Sequence, residues 1–549
     1  MKGSKLVASL LVASSVAGMA GCASENVETN ADITPEKNAD GNYNILFVTT
    51  DQEHYFQEYP EGTEYEARKL LEELGTTFEK HYACSNMSTS SRSVMYTGTH
   101  ITDTEMTDNT DFQWQDQLSE DKVTIGDRLR DAGLYTAYKG KWHMGNASVL
   151  GPVENPTTDL EAYGFADWGV EKDYIGEVQE GYEVDPLIIA DSVEWIKTTG
   201  EKLNEDGQSF FLAVNLINPH DIMNYATEDG AETRLETADA PQDKVYEKEY
   251  EQEIPSSWNQ DLSVDTVYAV ESYKNIWSAN MGGIDDDKFK SMQDYYFNCI
   301  QDSDNNLMTL LTELENLHML DNTIIVFTSD HGEMHGEHGL KGKGGFIYDN
   351  NLHVPLIIYH PDYEGGKRIS AVTSHIDLAP TFIDMTFIDE DKKEQIAGDL
   401  CGESLLKLMD GTKESVREGA LFCFEMLNFA VGKTEDGNNT IDNRTMVRAI
   451  ITEEYKFARY FSPLDFNTPK TMEELLEHND IELYDMKNDP EEMNNLALDP
   501  EKNEALIMEM NEKLNQLIEA EIGVDDGSEL ENSIKMIEKA FELNPEFFQ

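Results

Sequence analysis

The sequence predicts an α/β protein: a large mixed, mostly parallel sheet sandwiched by helices, followed by a smaller C-terminal α+β domain containing an antiparallel sheet. Three observations carry this. Short uninterrupted apolar runs rich in β-branched and aromatic residues recur at 44–50, 210–216, 323–329 and 354–359, as expected of strands buried on both faces. Helical segments stand between them, at 64–74, 124–132 and 295–317, the alternation that builds parallel sheets. After about Thr440 the texture changes to a hairpin pattern over 445–460, a strand at 482–485 and a helical end opened by 489–496.

The first residues are not part of that fold. Lys2 and Lys5 precede an apolar stretch over 6–20 and then Gly21-Cys22, so 1–21 reads as an export signal. Met19-Ala20-Gly21-Cys22 resembles the bacterial lipobox, which would make Cys22 the lipidated first residue of an exported protein anchored to a bacterial membrane. A plain signal peptide with an incidental Cys22 is the alternative; the polar tether 22–42, rich in Asn and Glu, favours the anchor. No later segment is long and apolar enough to span a bilayer. The membrane is met only through the lipid.

Charge narrows the partners. The 549 residues carry 41 Lys and Arg against 108 Asp and Glu, a formal net charge of −67. Such a field repels nucleic acid and anionic surfaces, so no nucleic-acid partner is expected, and any anion-binding site must be locally basic. Cys84, Cys299, Cys401 and Cys423 form no close pair, which argues against a structural zinc site and leaves disulfides undeduced.

Chemistry-bearing residues collect at strand ends, where ligands gather in parallel sheets. The first run ends in Asp51-Gln52, oxygen ligands of the kind a hard cation such as calcium takes. Ser88-Thr89-Ser90-Ser91-Arg92 opens a helix that Gly98 should stop; a serine cluster there is commonly a capping loop, but a helix start also attracts anions. A strand at 135–138 delivers Lys139-Gly140-Lys141-Trp142-His143, in which Lys141 and His143 can face one way while the indole packs the other. The 210–216 run leads to Pro219-His220, and the 323–329 run to Asp330-His331-Gly332-Glu333-Met334-His335-Gly336-Glu337-His338, a glycine-punctuated loop dense in acids and histidines. Asp330 and His331 meet Asp51 and Gln52 if the two strands are neighbours; Glu333, His335, Glu337 and His338 shape the loop. Lys341 and Lys343 return positive charge to the same edge. Asp302, Asp304 and Asp377 read as capping or pairing residues. Residues 223–287 are acidic and irregular and read as an insertion over the site.

Together the strand ending in Asp51, the Ser88 stretch, Gly140-Lys141-Trp142-His143, Pro219-His220, Thr328-Ser329-Asp330-His331-Gly332-Glu333 and Tyr484-Asp485 with Asp489-Pro490-Glu491-Glu492 resemble the sulfatase family, in its order and over most of 44–496. That family's signature begins with cysteine or serine, with proline two positions on and arginine four positions on; Ser88 and Arg92 match, and Ser90 stands where the proline is usual. Cys84 lacks the arginine.

The resemblance implies an alkaline-phosphatase-like catalytic domain over 43–440 and a C-terminal subdomain over 441–549. It implies a formylglycine made from Ser88 by a maturation enzyme, for a serine site one of the anaerobic, radical-based kind. Asp51, Gln52, Ser88, Asp330 and His331 would hold one divalent cation, calcium. Arg92, Lys141 and Lys343 would neutralise the sulfuryl oxygens, His220 with Lys343 would protonate the leaving alcohol, and His143 would act as base in sulfate release. The implied function is a sulfuric ester hydrolase acting on a sulfated small molecule or glycan. The rivals are a phosphatase or phosphonate/phosphodiester hydrolase of the same superfamily, and a non-catalytic lipoprotein that binds sulfated glycans.

Overall fold

The computed structural model describes residues 37–146, 157–225, 239–276, 286–433 and 436–543. The signal 1–21, Cys22 with most of the tether, and parts of the 223–287 insertion lie outside the described residues.

The main sheet has seven strands: β1 (Asn44–Asp51), β2 (Thr76–Phe78), β3 (Tyr135–Gly140), β4 (Phe210–Pro219), β5 (Thr323–Ser329), β6 (Leu356–Tyr359) and β7 (Lys367–Ile369). Their spatial order is β3-β4-β1-β5-β6-β2-β7. The β3-β4-β1-β5 block is parallel throughout, while β6 runs against both β5 and β2. The helices that pack on it are α1 (Glu66–Leu74), α2 (Ser88–Thr97), α3 (Ile125–Asp131), α4 (Glu180–Trp195), α5 (Asp286–Asn316) and α6 (Leu378–Asp384).

Side chains alternate across a strand, and here both alternations are apolar. Ile45, Phe47, Phe211 and Val326 enter one core with Met95 and Tyr96 of α2, Leu129 of α3 and Phe382 of α6. Leu46, Val48, Leu212 and Phe327 enter the other with Leu70 of α1, Ile188 of α4 and Leu311 of α5. Each such aliphatic or phenyl side chain contributes about 1.5–3 kcal/mol by leaving water. That two-sided demand produces the uninterrupted apolar runs. It also sets the register, in which Thr50 lies opposite Ser329, so that the chain leaves β1 and β5 side by side at Asp51 and Asp330.

A second sheet of β8 (Gly419–Phe424), β9 (Met446–Thr452), β10 (Tyr455–Phe461) and β11 (Asp480–Asp485) is antiparallel. Two helices follow it, α7 (Pro500–Glu521) and α8 (Glu531–Leu543). The sheet therefore begins at Gly419, ahead of the boundary expected at 441. The reason lies in β8 itself, an apolar strand buried along its whole length that also bonds back to the catalytic part: Cys423 N–H donates to the Cys84 carbonyl at 2.9 Å, and Ser85 Oγ to the Cys423 carbonyl at 2.8 Å. The smaller sheet thus braces the loop leading to Ser88. The segment 489–496 that leads into the expected helical end is a turn, in which the Asp489 carboxylate accepts from the Met493 and Asn494 amides at 3.1 and 2.7 Å. The helix starts at Pro500, where a missing N–H is harmless. Cys84, Cys299, Cys401 and Cys423 are all free thiols. Among the described residues no helix is long and apolar enough to cross a membrane.

Candidate active site

Asp51, Asp330 and His331 each offer one ligand atom to a cluster in which these atoms lie within 4.8 Å of one another, all three residues being buried. The turn after β1 builds it: Gln52 takes a φ of 73°, and its N–H donates to Asp330 Oδ1 at 3.1 Å. The His331 Nδ1–H faces the Gly332 carbonyl at 3.1 Å, which leaves the Nε2 lone pair for the cluster. Burial, then the Lys343 cation, keep this imidazole neutral, well below its ordinary range. Two carboxylates and a neutral imidazole, converging in a buried site, are a donor set for one divalent cation, the carboxylates suiting a hard ion and the imidazole a transition metal.

Ser88 is the first residue of α2 and is brought against the cluster, its Oγ 2.9 Å from His331 Nε2 and 3.4 Å from Asp51 Oδ1. One helical turn on, the buried Arg92 spans both carboxylates, Nε to Asp330 and Nη2 to Asp51, each at 3.0 Å. Lys141 Nζ lies 2.7 Å from Asp51 Oδ2. Burial would raise both carboxyls. Lys141, with Arg92, outweighs it at Asp51 and holds that group well below the usual range. Asp330, facing the Asp51 charge as well, is pushed up to about 7. Asp330 is thus a buried acid beside an ionised one, and a bound metal ion would stabilise its ionised form.

A family model described as Sulfatase matches residues 43–388, and one described as N-sulphoglucosamine sulphohydrolase, C-terminal, matches residues 336–520. The chain belongs to the sulfatase family.

Among curated relatives, this sulfatase is 26% identical to arylsulfatase K of Gallus gallus over 439 residues, 78% of this chain and 74% of that one. It is 24% identical to an N-acetylglucosamine-6-O-sulfatase of Bacteroides thetaiotaomicron over 480 residues, 77% of this chain and 76% of that one. Among solved structures, its fold resembles that of a 2-O GAG sulfatase with a TM-score of 0.65 and 19% identity, covering 87% of this chain and 92% of the other.

The remaining expected residues of the sulfatase fall around the same edge. Lys343 Nζ donates to Gln52 Oε1 at 2.5 Å, and burial together with Lys141 lowers it to about 8. The Gln52 amide nitrogen donates to Glu333, so Gln52, expected among the cation ligands, has both ends of its amide engaged, by Glu333 and Lys343, beside the acid–histidine cluster. His220 is buried with Nδ1 unpartnered, and burial, then Lys343 and Lys141, keep it neutral. Gly176 lies over its ring, where a Cβ would come within 2.2 Å of Cε1. Trp142 points into the core while Lys141 reaches Asp51 and the His143 ring reaches Asp111, the split expected from their alternation. Cys84 is tied to Ser374 Oγ at 2.9 Å, and burial pushes its thiol up to about 12. Asp304 pairs with Arg68, and Asp377 closes a capping box with Ser374.

Four residues were not singled out by sequence reasoning, or were given a lesser part. Asn215 Oδ1 accepts from Thr49, Tyr96 and Arg92 at 2.6, 2.8 and 3.3 Å; an amide inside the otherwise apolar run 210–216 is the signal the sequence offers. Asp173 accepts from the Trp142 and His143 amides at 3.0 and 2.6 Å, and no motif marks it. Asp111 lies 3.4 Å from His143. Glu333 does shape its loop, accepting from His335 and Gly342 amides at 3.0 and 2.7 Å, but it also holds Gln52.

Proposed function

We propose that this sulfatase hydrolyses a sulfate ester of a sulfated saccharide, using a formylglycine made from Ser88 and one divalent cation, calcium. The observation that carries the reading is the position of the Ser88 hydroxyl, 2.9 Å from His331 Nε2 and 3.4 Å from Asp51, with Arg92 and Lys141 on the same carboxylate. Asp51, Asp330 and His331 would hold the cation with the Ser88 oxygen, and Gln52 lines their edge. Bound there, the cation supplies Lewis-acid charge to the sulfuryl oxygens, and the oxidised, hydrated Ser88 side chain supplies a nucleophilic hydroxyl and a second one for sulfate release.

The rest of the chemistry falls to side chains already charged or neutral as it requires. Arg92, Lys141 and Lys343 face a substrate anion with fixed positive charge in a site shielded from water, where it acts most strongly. Lys343, lowered to about 8, is protonated at neutral pH yet gives up its proton more readily than an ordinary lysine. It suits the role of donor to the leaving alcohol. His220, neutral in the free site, would share that proton once an anion sits between it and the lysines. His143, which burial and then Lys141 lower to about 4, is unprotonated and suited to act as base.

The saccharide class draws on the N-acetylglucosamine-6-O-sulfatase and the 2-O GAG sulfatase among its relatives. The same reading includes a substrate-shaping insertion over 223–287, an anaerobic radical-type maturation enzyme as transient partner, and export with a lipid anchor at Cys22. The described part of the insertion already touches the site loop, Tyr273 donating to the Lys341 carbonyl at 3.0 Å.

Mass spectrometry of the Ser88 peptide from the native host, with turnover of matched aryl sulfate and aryl phosphate esters, tests the reading. Loss of two hydrogens and preference for the sulfate are expected; unmodified serine in fully active protein, or preference for the phosphate, overturns it.

A further inference from the structure

His143 is held by its backbone. It sits at a φ of 54°, a conformation costly for a non-glycine residue. Its N–H is gripped by Asp173 at 2.6 Å and its carbonyl by Thr89 Oγ1 at 2.6 Å. These bonds fix the point from which the ring enters the site, and its chemistry depends on which nitrogen carries the proton. Both ring nitrogens are buried without a close hydrogen bond, and what sets them apart is the carboxylate: Nε2 lies 3.4 Å from Asp111 Oδ1.

The loop that brings Asp111 is itself fixed at several points. Thr89 N–H donates to Asn109 Oδ1 at 3.2 Å, and the Trp114 indole to Asp108 Oδ2 at 2.8 Å. Phe112 and Trp114 stack at 4.9 Å, and Ser533 of α8 donates to the Trp114 carbonyl at 3.0 Å. An acidic side chain delivered this deliberately to an imidazole does more than cover it.

We infer that Asp111 is a positioning residue for His143: its carboxylate keeps the proton on Nε2 and leaves the Nδ1 lone pair as the proton acceptor of the reaction. The inference rests on the reading of His143 as the base of sulfate release. The proton taken in that step ends on Nδ1, and the imidazolium formed is balanced by the Asp111 carboxylate, which stays ionised throughout. The other titratable groups facing His143 are Lys141, on its own segment, Asp51 from β1, and Asp173, which binds the His143 N–H rather than its ring. Of these, Asp51 favours the imidazolium and Lys141 opposes it, so Asp111 is the carboxylate that contacts the ring directly.

The test begins with Ser88→Ala protein carrying 15N-histidine, in which the state of Ser88 plays no part, with the His143 signals assigned by His143→Gln. Nitrogen shifts should show the Nε2–H tautomer. Asp111→Asn should move the His143 titration to lower pH by about one unit or more, because an opposite charge at this range has been removed. An Nδ1–H tautomer, or an unmoved titration, overturns the inference. In the matured enzyme, Asp111→Asn should lower kcat at least about tenfold, part of the roughly 10²–10⁴ a positioned acid–base group supplies. KM should stay within about twofold, the acid limb of the kcat profile should shift to lower pH, and Asp111→Glu should recover part of the loss. An unchanged kcat and profile overturn the inference. Failure of the underlying reading shows separately, as an unmodified Ser88 peptide or absent sulfate release in the unsubstituted protein.

Discussion

The Gln52 side-chain amide is clamped at both ends, its nitrogen donating to the Glu333 carboxylate and its oxygen accepting from Lys343 Nζ at 2.5 Å. All three side chains are buried, so the amide's orientation is set by the acid and in turn fixes where the lysine ammonium sits. Replacing Glu333 with Gln removes the fixed acceptor and leaves Gln52 free to turn. A hydrogen bond to a charged group is worth about 1.5–3 kcal/mol, so kcat/KM should fall about tenfold to a hundredfold, measured with an aryl sulfate. Unchanged kinetics would show that Lys343 is held by other contacts.

Arg92 makes a sharper demand. It is fully buried and bridges Asp51 and Asp330, with Nη1 donating to the Lys141 carbonyl at 3.0 Å. Lysine cannot reproduce that planar fork. Arg92→Lys should destabilise the metal-free protein by about 3–5 kcal/mol, since it leaves a buried carboxylate poorly compensated, read as a lower denaturant midpoint. Added calcium should recover part of this loss by taking over the neutralisation.

The strands were legible because burial on two faces leaves a signal within each run, and the pairing of Asp51 with Asp330 followed once β1 and β5 were taken as neighbours. Arg92, Lys141, His143 and His220 were legible as motif members. Asp111 and Asp173 were not, because each acts across a long chain separation on a backbone or ring whose place only the fold supplies. Glu333 was visible as part of an acidic loop, yet nothing in the sequence tells its carboxylate from that of Glu337, which accepts from Ser257 instead. The early start of the second sheet was hidden for a related reason. A lone apolar run such as β8 carries no mark of which sheet it joins.

Metal affinity should depend on pH through Asp330. Its carboxyl, raised by burial and by Asp51 from 3.8 to about 7, must lose its proton before a cation can take its place. Calcium affinity measured calorimetrically should therefore fall about tenfold per pH unit below about 7 and level off above it, with proton release in the lower range. Without metal the sign is opposite for stability. The folded state binds this proton more tightly than the unfolded chain, so the group's contribution is lost as pH rises from about 4 through 7. Asp51, held low, acts in the other sense and only below 3.8. Metal-free protein that becomes more stable across the range from about 4 to 7, after the other groups are matched by Asp330→Asn, would contradict this.

Ser90 occupies the place of the usual proline, and the structure gives it little reason to be serine. It lies in the first turn of α2, where its N–H has no acceptor within the helix; the bond from Ser91 N–H to the Met87 carbonyl at 2.9 Å is the one that starts the ladder. Its hydroxyl is buried without a hydrogen-bond partner. Proline in a first turn is tolerated, and it removes both an orphan donor and an unpaired hydroxyl. Ser90→Pro should therefore change the unfolding free energy by less than about 1 kcal/mol. If the maturation enzyme reads this position, the fraction of Ser88 converted should rise when the two are co-expressed, and kcat per molecule should rise in the same proportion with KM unchanged. A large loss of stability would mean that the hydroxyl or the N–H is needed where it lies. Equal conversion in both proteins would place recognition on Ser88 and Arg92 alone.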